Sequence, residues 1–237
     1  MAERISLSIE TTCSRGGVAL GRGDAIVAQD FFDASRRHAA TLVAKLKALF
    51  EGQGLAPADL DELYVSVGPG SFTGTRVGVT VARTLAQMVP HARCVAVPTA
   101  RAIAQAAMVI EWSRLTVLSD ATEGGVHLAV FERQAGACQP LTERDVAIAD
   151  LRAALEGPLL ITGPAAHAPI LSAVLADIPG VEVLPPDSPY HQPTPSAVWE
   201  VGRTLADAGQ FTPYDQLLPL YSRPPTAVRV WEKQNPT

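Results

Sequence analysis

Cys13, Cys94 and Cys138 are the only cysteines among 237 residues; their odd number and lack of C-x-x-C spacing exclude a disulfide framework and a zinc knuckle. The histidines, His38, His91, His127, His167 and His191, contain no H-x-x-H or H-x-x-x-H pair, so they read as structural or solvated and no metal site is expected. Positive charge is short as well. Lys and Arg number 19 against 24 Asp and Glu, a formal net charge of -5, which argues against gripping RNA by the chain's own charge. It leaves open membership of a larger assembly that acts on RNA. No run approaches the roughly 18 apolar residues of a membrane helix. The opening Met-Ala-Glu-Arg lacks the apolar core of a signal peptide, so a cytoplasmic chain without membrane attachment is expected.

What is present is a large apolar complement. Hydrophobic residues make up 47% and charged ones 18%, which excludes a disordered chain and leaves room for one large or two modest domains. The most informative segment is Gly68-Pro-Gly-Ser-Phe-Thr-Gly74. Leu63, Val65 and Val67 alternate with Tyr64 and Ser66 before it, the period of a half-buried strand. After it, Thr75 to Met88 holds no breaker except Gly78 and stops at Pro90, which predicts a helix of about four turns. A glycine-rich turn between strand and helix is the usual phosphate cradle, because a helix N-terminus offers free N–H groups and partial positive charge.

Two phosphate motifs nevertheless fail on chemistry. A P-loop needs a lysine to neutralise the terminal phosphates, and here Thr73 stands five positions after Gly68 with no lysine after it in the turn or helix. In G-x-G-x-x-G the third glycine slot holds Thr73, and Pro69 removes an N–H that would face the phosphate. A tight turn with Ser71 as helix cap explains the same residues. In the helix, Val77, Val81, Leu85 and Met88 form an apolar stripe, beside Gly74, Gly78, Ala82 and Ala86 at i+4 spacing. The small stripe fits close packing on the helix's own sheet or close approach of a second helix.

Elsewhere, strands are predicted around Ile5–Ile9, Val18–Leu20, Ile26–Phe32, Cys94–Val97, Leu115–Leu118, Val126–Phe131, Cys138–Leu141, Leu159–Thr162 and Val181–Leu184. Helices are predicted from a Ser35 cap through Phe50, from Thr99 to about Met108, and over Ala147–Leu155, Ala166–Leu175 and Pro195–Ala208. The expected class is α/β, two duplicated lobes of mixed sheet with crossover helices. The lobes span 1–108 and 109–237, the second closing with a helix at about 195–209, an irregular tail and a mobile end from Val228.

Gly68–Gly74 followed by Thr-Arg-Val-Gly78, Ile9-Glu-Thr-Thr12 followed by Val18-Ala-Leu20, and the closing Tyr221-Ser-Arg223 resemble the TsaB family over nearly the whole chain. That resemblance implies the actin, Hsp70 and sugar-kinase-like ATPase fold. It also implies a partner subunit in the synthesis of N6-threonylcarbamoyladenosine beside the tRNA anticodon. The catalytic paralogue, TsaD, carries H-M-E-G-H on the helix after its own Gly-Pro-Gly turn; here Thr99 and Ile103 stand where its imidazoles would be. A chain without catalytic residues or metal follows, binding no cofactor alone, with ATP or ADP and metal expected on partner subunits. Glu10, Thr11 and Asp120 are its candidate nucleotide contacts.

The resemblance further implies that helices 35–50 and 71–88 pair with the same helices of TsaD, or of a second copy when the chain is alone. An ATPase partner, TsaE, joins the assembly, and tRNA is met indirectly. The interface expected on this basis is Ser35, His38, Leu42, Leu46, Ser71, Phe72, Thr73, Gly74, Gly78 and Ala82. The rival reading is an ATP-dependent kinase-like or a peptidase-like enzyme of the same fold. Asp120 is its one candidate base, and Ser71 lacks an evident His/Asp pair.

Overall fold

Alternating apolar residues build the opening meander of β1 (Ile5–Glu10), β2 (Arg15–Arg22) and β3 (Ala25–Asp33). A computed structural model describes residues 3–33, 38–122, 124–155, 157–222 and 231. After α1 (His38–Gly52) come β4 (Glu62–Gly68), α2 (Phe72–Met88), β5 (Arg93–Pro98) and α3 (Thr99–Ala106). The second half holds β6 (Arg114–Thr122), β7 (Gly125–Gln134), β8 (Ala137–Val146) and α4 (Leu151–Ala154). It continues through β9 (Leu159–Thr162), α5 (Pro169–Ala176), β10 (Val181–Val183) and α6 (Pro195–Asp207). Ser35 and, apart from Trp231, the end from Val228 to Thr237 lie outside the described residues, as does Arg223 of the closing motif.

The sheets run β3-β2-β1-β4-β5 and β8-β7-β6-β9-β10. Each is an antiparallel meander whose first strand pairs in parallel with the next strand, β4 or β9, which in turn pairs in parallel with the last, β5 or β10. The expected duplication is therefore present strand for strand. Leu7 sits opposite Leu20 on one side and Leu63 on the other, placing an apolar row along the first core.

The helices do not follow the division into halves. α1 and α2 cover one face of the first sheet through Leu42, Leu46, Leu49, Val79 and Ala82. Its other face is covered by α6, from the far end of the chain, through Val198, Trp199, Val201 and Leu205 against Tyr64, Val95 and Val97. Meanwhile α3 supplies Ala100, Ile103 and Ala104 to the second sheet, beside Leu115, Val117 and Phe131. The closing helix expected in the second lobe thus packs on the first. For the same reason β1 and β4, read as half-buried, are buried on both faces.

Two small residues make that contact close. The Trp199 Nε1–H donates to Ser6 Oγ at 2.8 Å above Gly21. A Cβ at Gly202 would lie 2.3 Å from the Tyr64 ring. Gly202→Ala should therefore destabilise the fold by about 1–3 kcal/mol through overpacking. Urea unfolding checks this, and a wild-type midpoint would take α6 off the sheet.

Candidate functional site

Ser71 caps α2 as expected: its Oγ accepts from the Gly74 N–H at 3.2 Å. The loop after β1 comes up against this turn. The Ser71 N–H donates to the Thr12 carbonyl at 2.7 Å, and the Thr11 hydroxyl donates to the Gly74 carbonyl at 2.8 Å. The Gly68 N–H donates to Thr99 Oγ1 at 3.1 Å. From the other side the tail crosses the turn. The Leu220 N–H donates to the Val67 carbonyl at 2.6 Å, and a Cβ on Gly68, at φ +108, would meet the Leu220 carbonyl oxygen at 2.3 Å. Three N–H groups of the turn, those of Gly68, Ser71 and Gly74, are thus spent within the chain, while Gly70 and Ser71 face the space between the lobes.

The small stripe of α2 faces its own sheet. A Cβ on Gly74 would lie 2.0 Å from the Thr11 carbonyl oxygen, and one on Gly78 2.3 Å from Thr11 Oγ1. Ala82 is fully buried in the first core. Gly74, Gly78 and Ala82 therefore leave nothing for a second helix, which corrects their assignment to an interface. Leu42 and Leu46 are corrected likewise, because they are the underside of α1. The apolar stripe of Val77, Val81 and Leu85 is only partly buried, at the rim of that core.

What the two helices offer outward is different. Phe72 is 43% exposed and Val43 is 55% exposed. Ala39, Phe72, Thr73, Arg76, Val77 and Thr80 line a groove of about 360 Å³ between α1 and α2. Tyr221 of the tail stacks on Phe72 at 4.9 Å between ring centroids, and the Arg76 guanidinium lies 5.2 Å from the Phe72 ring. Ser71, Phe72 and Thr73 thus remain exposed. His38 opens α1, with its side chain outside the described residues.

Between the lobes lies a cleft of about 500 Å³. Thr12, Cys13, Ser14 and Ser71 line it from one side, Ser119, Asp120, Gly163 and His167 from the other. Of the three nucleotide candidates, only Asp120 lines this space. Thr11 is buried beneath α2, its hydroxyl engaged. Glu10 is buried too: Oε1 accepts from the Thr12 N–H at 2.5 Å and from its hydroxyl at 2.7 Å. Oε2 has no hydrogen-bond partner among the described residues. Burial pushes the Glu10 carboxyl above its ordinary range, against the opposing pull of its hydrogen bonds. Among the described residues, no lysine or arginine lines the cleft to balance a phosphate chain.

Thr99 and Ile103 are both buried, the first on the Gly68 N–H and the second in the core beneath the second sheet. Neither can ligate a metal from there, and no His/Cys/Asp/Glu group suited to a metal occurs among the described residues. His127, His167 and His191 each engage in hydrogen bonds within the fold, while His91 is exposed. His191 Nε2 donates to the Pro185 carbonyl at 2.8 Å, and His167 Nε2 to that of Leu184 at 2.7 Å. His127 lies between Asp145 and Glu143, each at 3.0 Å. Missed by sequence reasoning were the tail contacts and Gln192, whose Oε1 accepts from Ser14 Oγ at 3.0 Å. Neither sits in a periodic segment.

One sheet order used twice around a central cleft defines a two-lobed α/β fold class. A family model described as TsaD, tRNA N6-adenosine threonylcarbamoyltransferase, matches residues 32–155, just over half of the chain. The chain is 27% identical to the tRNA threonylcarbamoyladenosine biosynthesis protein TsaB of Bacillus subtilis, over 83% of its own length and 86% of that protein's. It is 30% identical to the TsaB of Escherichia coli, over 54% of each. Its fold is also that of YeaZ from Pseudomonas aeruginosa, with a TM-score of 0.77, 19% identity, and coverage of 92% of this chain and 99% of that one. The chain belongs to the TsaB family and carries a TsaD-like domain.

Two outcomes follow. Gly78→Ala should lower stability by about 1–3 kcal/mol in urea unfolding, since its Cβ has no space over Thr11; unchanged stability would return the stripe to a partner. Glu10 binds its proton more firmly folded than unfolded. Its contribution is complete below the ordinary value of 4.5 and is lost as pH rises through the raised folded value. Glu10→Gln should accordingly gain stability relative to wild type between pH 5 and pH 8. A pH-independent difference between the two proteins would contradict the burial.

Proposed function

We propose that this chain is a non-catalytic activating subunit in the synthesis of threonylcarbamoyladenosine on tRNA, acting through a TsaD-like catalytic paralogue. The observation that carries the reading is the filled turn: Thr12, Thr99 and Leu220 occupy three sides of residues 68–74. The Gly68, Ser71 and Gly74 N–H groups are spent within the chain, no lysine or arginine among the described residues lines the cleft, and Thr99 and Ile103 replace the imidazoles a metal would require. The chemistry then belongs to the partner, together with the nucleotide and the metal.

This subunit contributes a rigid surface. Its docking face is the groove between α1 and α2, with Phe72, Thr73, Arg76 and Thr80 on one wall and Ala39 and Val43 on or beside the other. An exposed aromatic over a shallow apolar groove is the composition of an interface core. Alone, the chain pairs with a second copy through this face; in the assembly the paralogue takes that place and a TsaE-like P-loop ATPase joins. Contact with tRNA is through the complex, in the cytoplasm. In line with this setting, no helix among the described residues is long and apolar enough to cross a membrane.

Deleting the gene should abolish threonylcarbamoyladenosine in bulk tRNA, measured by mass spectrometry of nucleosides. Normal modification in a strain lacking any paralogue would end the proposal. In the protein, Val43→Glu combined with Thr80→Arg places charge on exposed positions and should leave the melting temperature unchanged. Co-purification with the catalytic paralogue should fall roughly tenfold or more. Wild-type recovery would put the docking face elsewhere. Titration of the lone chain with ATP and magnesium separates the kinase-like alternative, which requires tight binding coupled to turnover.

A further inference from the structure

The tail after α6 returns to the first lobe and ends on the second. Leu217 is fully buried in the first core, and Leu220 is bonded to Val67 at the end of β4. Tyr221 stacks on Phe72 at the start of α2. One residue later the Ser222 hydroxyl donates to the Asp120 carboxylate, at the cleft edge of the second lobe. Asp120 is one of two non-glycine residues at positive φ among those described, +50°. A backbone held in that region needs surrounding contacts to keep it there. The bond to Ser222 is such a contact.

We propose that residues 217–222 are an interlobe latch. They are fastened to the first lobe at Leu217, Leu220 and Tyr221, and they hold the second lobe at a set angle through Asp120. The chain otherwise passes between the lobes through α3 and through the 184–194 segment. The latch joins Asp120, at the second lobe's edge of the cleft, to Phe72 at the exposed start of α2. Opening the cleft pulls on Ser222 and unstacks Tyr221 from Phe72. Lobe closure and the shape of the docking face are therefore one coupled equilibrium. The coupling to docking rests on the function proposed above; the latch does not.

The test uses the full chain without partner. Spin labels at Ala48→Cys on α1 and Glu182→Cys on β10, both exposed, report the interlobe distance. The three native cysteines are buried, with the Cys94 and Cys138 thiols pushed up to about 11 by burial, and stay unlabelled. Ser222→Ala should broaden the distance distribution and speed exchange of the Leu220 amide roughly three- to tenfold, the worth of one hydrogen bond. Asp120→Gly, which suits the positive φ, should do the same, and the double variant no more. A wild-type distance distribution overturns the latch, even if Leu220 exchanges faster, because the tail then fastens only itself. If the latch variants respond but docking-face variants keep their partner, the latch stands and the docking assignment falls.

Discussion

The contact between α2 and the loop after β1 sets the rest of the structure. Thr11 reaches the Gly74 carbonyl from beneath, and glycine at 74 and 78 removes every side-chain atom that would hold the helix off. Glycine within a helix costs about 1 kcal/mol against alanine. Here the cost is offset by burying Thr11 and by bringing Ile9, Val79 and Ala82 into one core. The helix cannot slide or lift without breaking that contact, so whatever stands on its outer face is held rigidly.

The same contact decides the chemistry of the turn. A phosphate cradle works because its N–H groups are unspent. Here the Ser71 N–H is spent on Thr12, the Gly74 N–H on Ser71 and the Gly68 N–H on Thr99, while Leu220 lies over Gly68. Three of the turn's donors have in this way become part of the internal packing between α2, the loop after β1 and Thr99.

Much of the fold was legible because it depends on local period. The strand at Glu62–Gly68, the helix beginning after Ser71 and the repeated lobe all followed from alternation, caps and breakers. The site was less legible. Small residues at i+4 say that something comes close, without saying whether it is the chain's own sheet or another molecule. Resemblance favoured another molecule, and the distances from Thr11 decide for the sheet. Leu42 and Leu46 failed in the same direction, since an amphipathic helix shows its buried face in sequence and never its docking face. The destination of α6 was invisible too. Nothing local to Trp199 or Gly202 states that their partners are Ser6 and Tyr64, far away in sequence. The tail lacks periodicity altogether, and its contacts are single residues meeting single residues.

These observations give α2 two faces with opposite requirements. Its inner face must be small and invariant in position, which glycine and alanine supply. Its outer face must stay available, and Phe72, Thr73, Arg76 and Thr80 are held in place without being covered. Flexible mounting would make a docking surface lose ordering entropy on binding; a helix fixed from beneath has already lost it. Tyr221 extends the same logic to the helix's first turn, where fraying would otherwise be greatest. The aromatic stack and the buried Leu217 bring the end of the described chain to the point that most needs support. On the function proposed above, such stiffness at the surface is what the subunit would offer a partner.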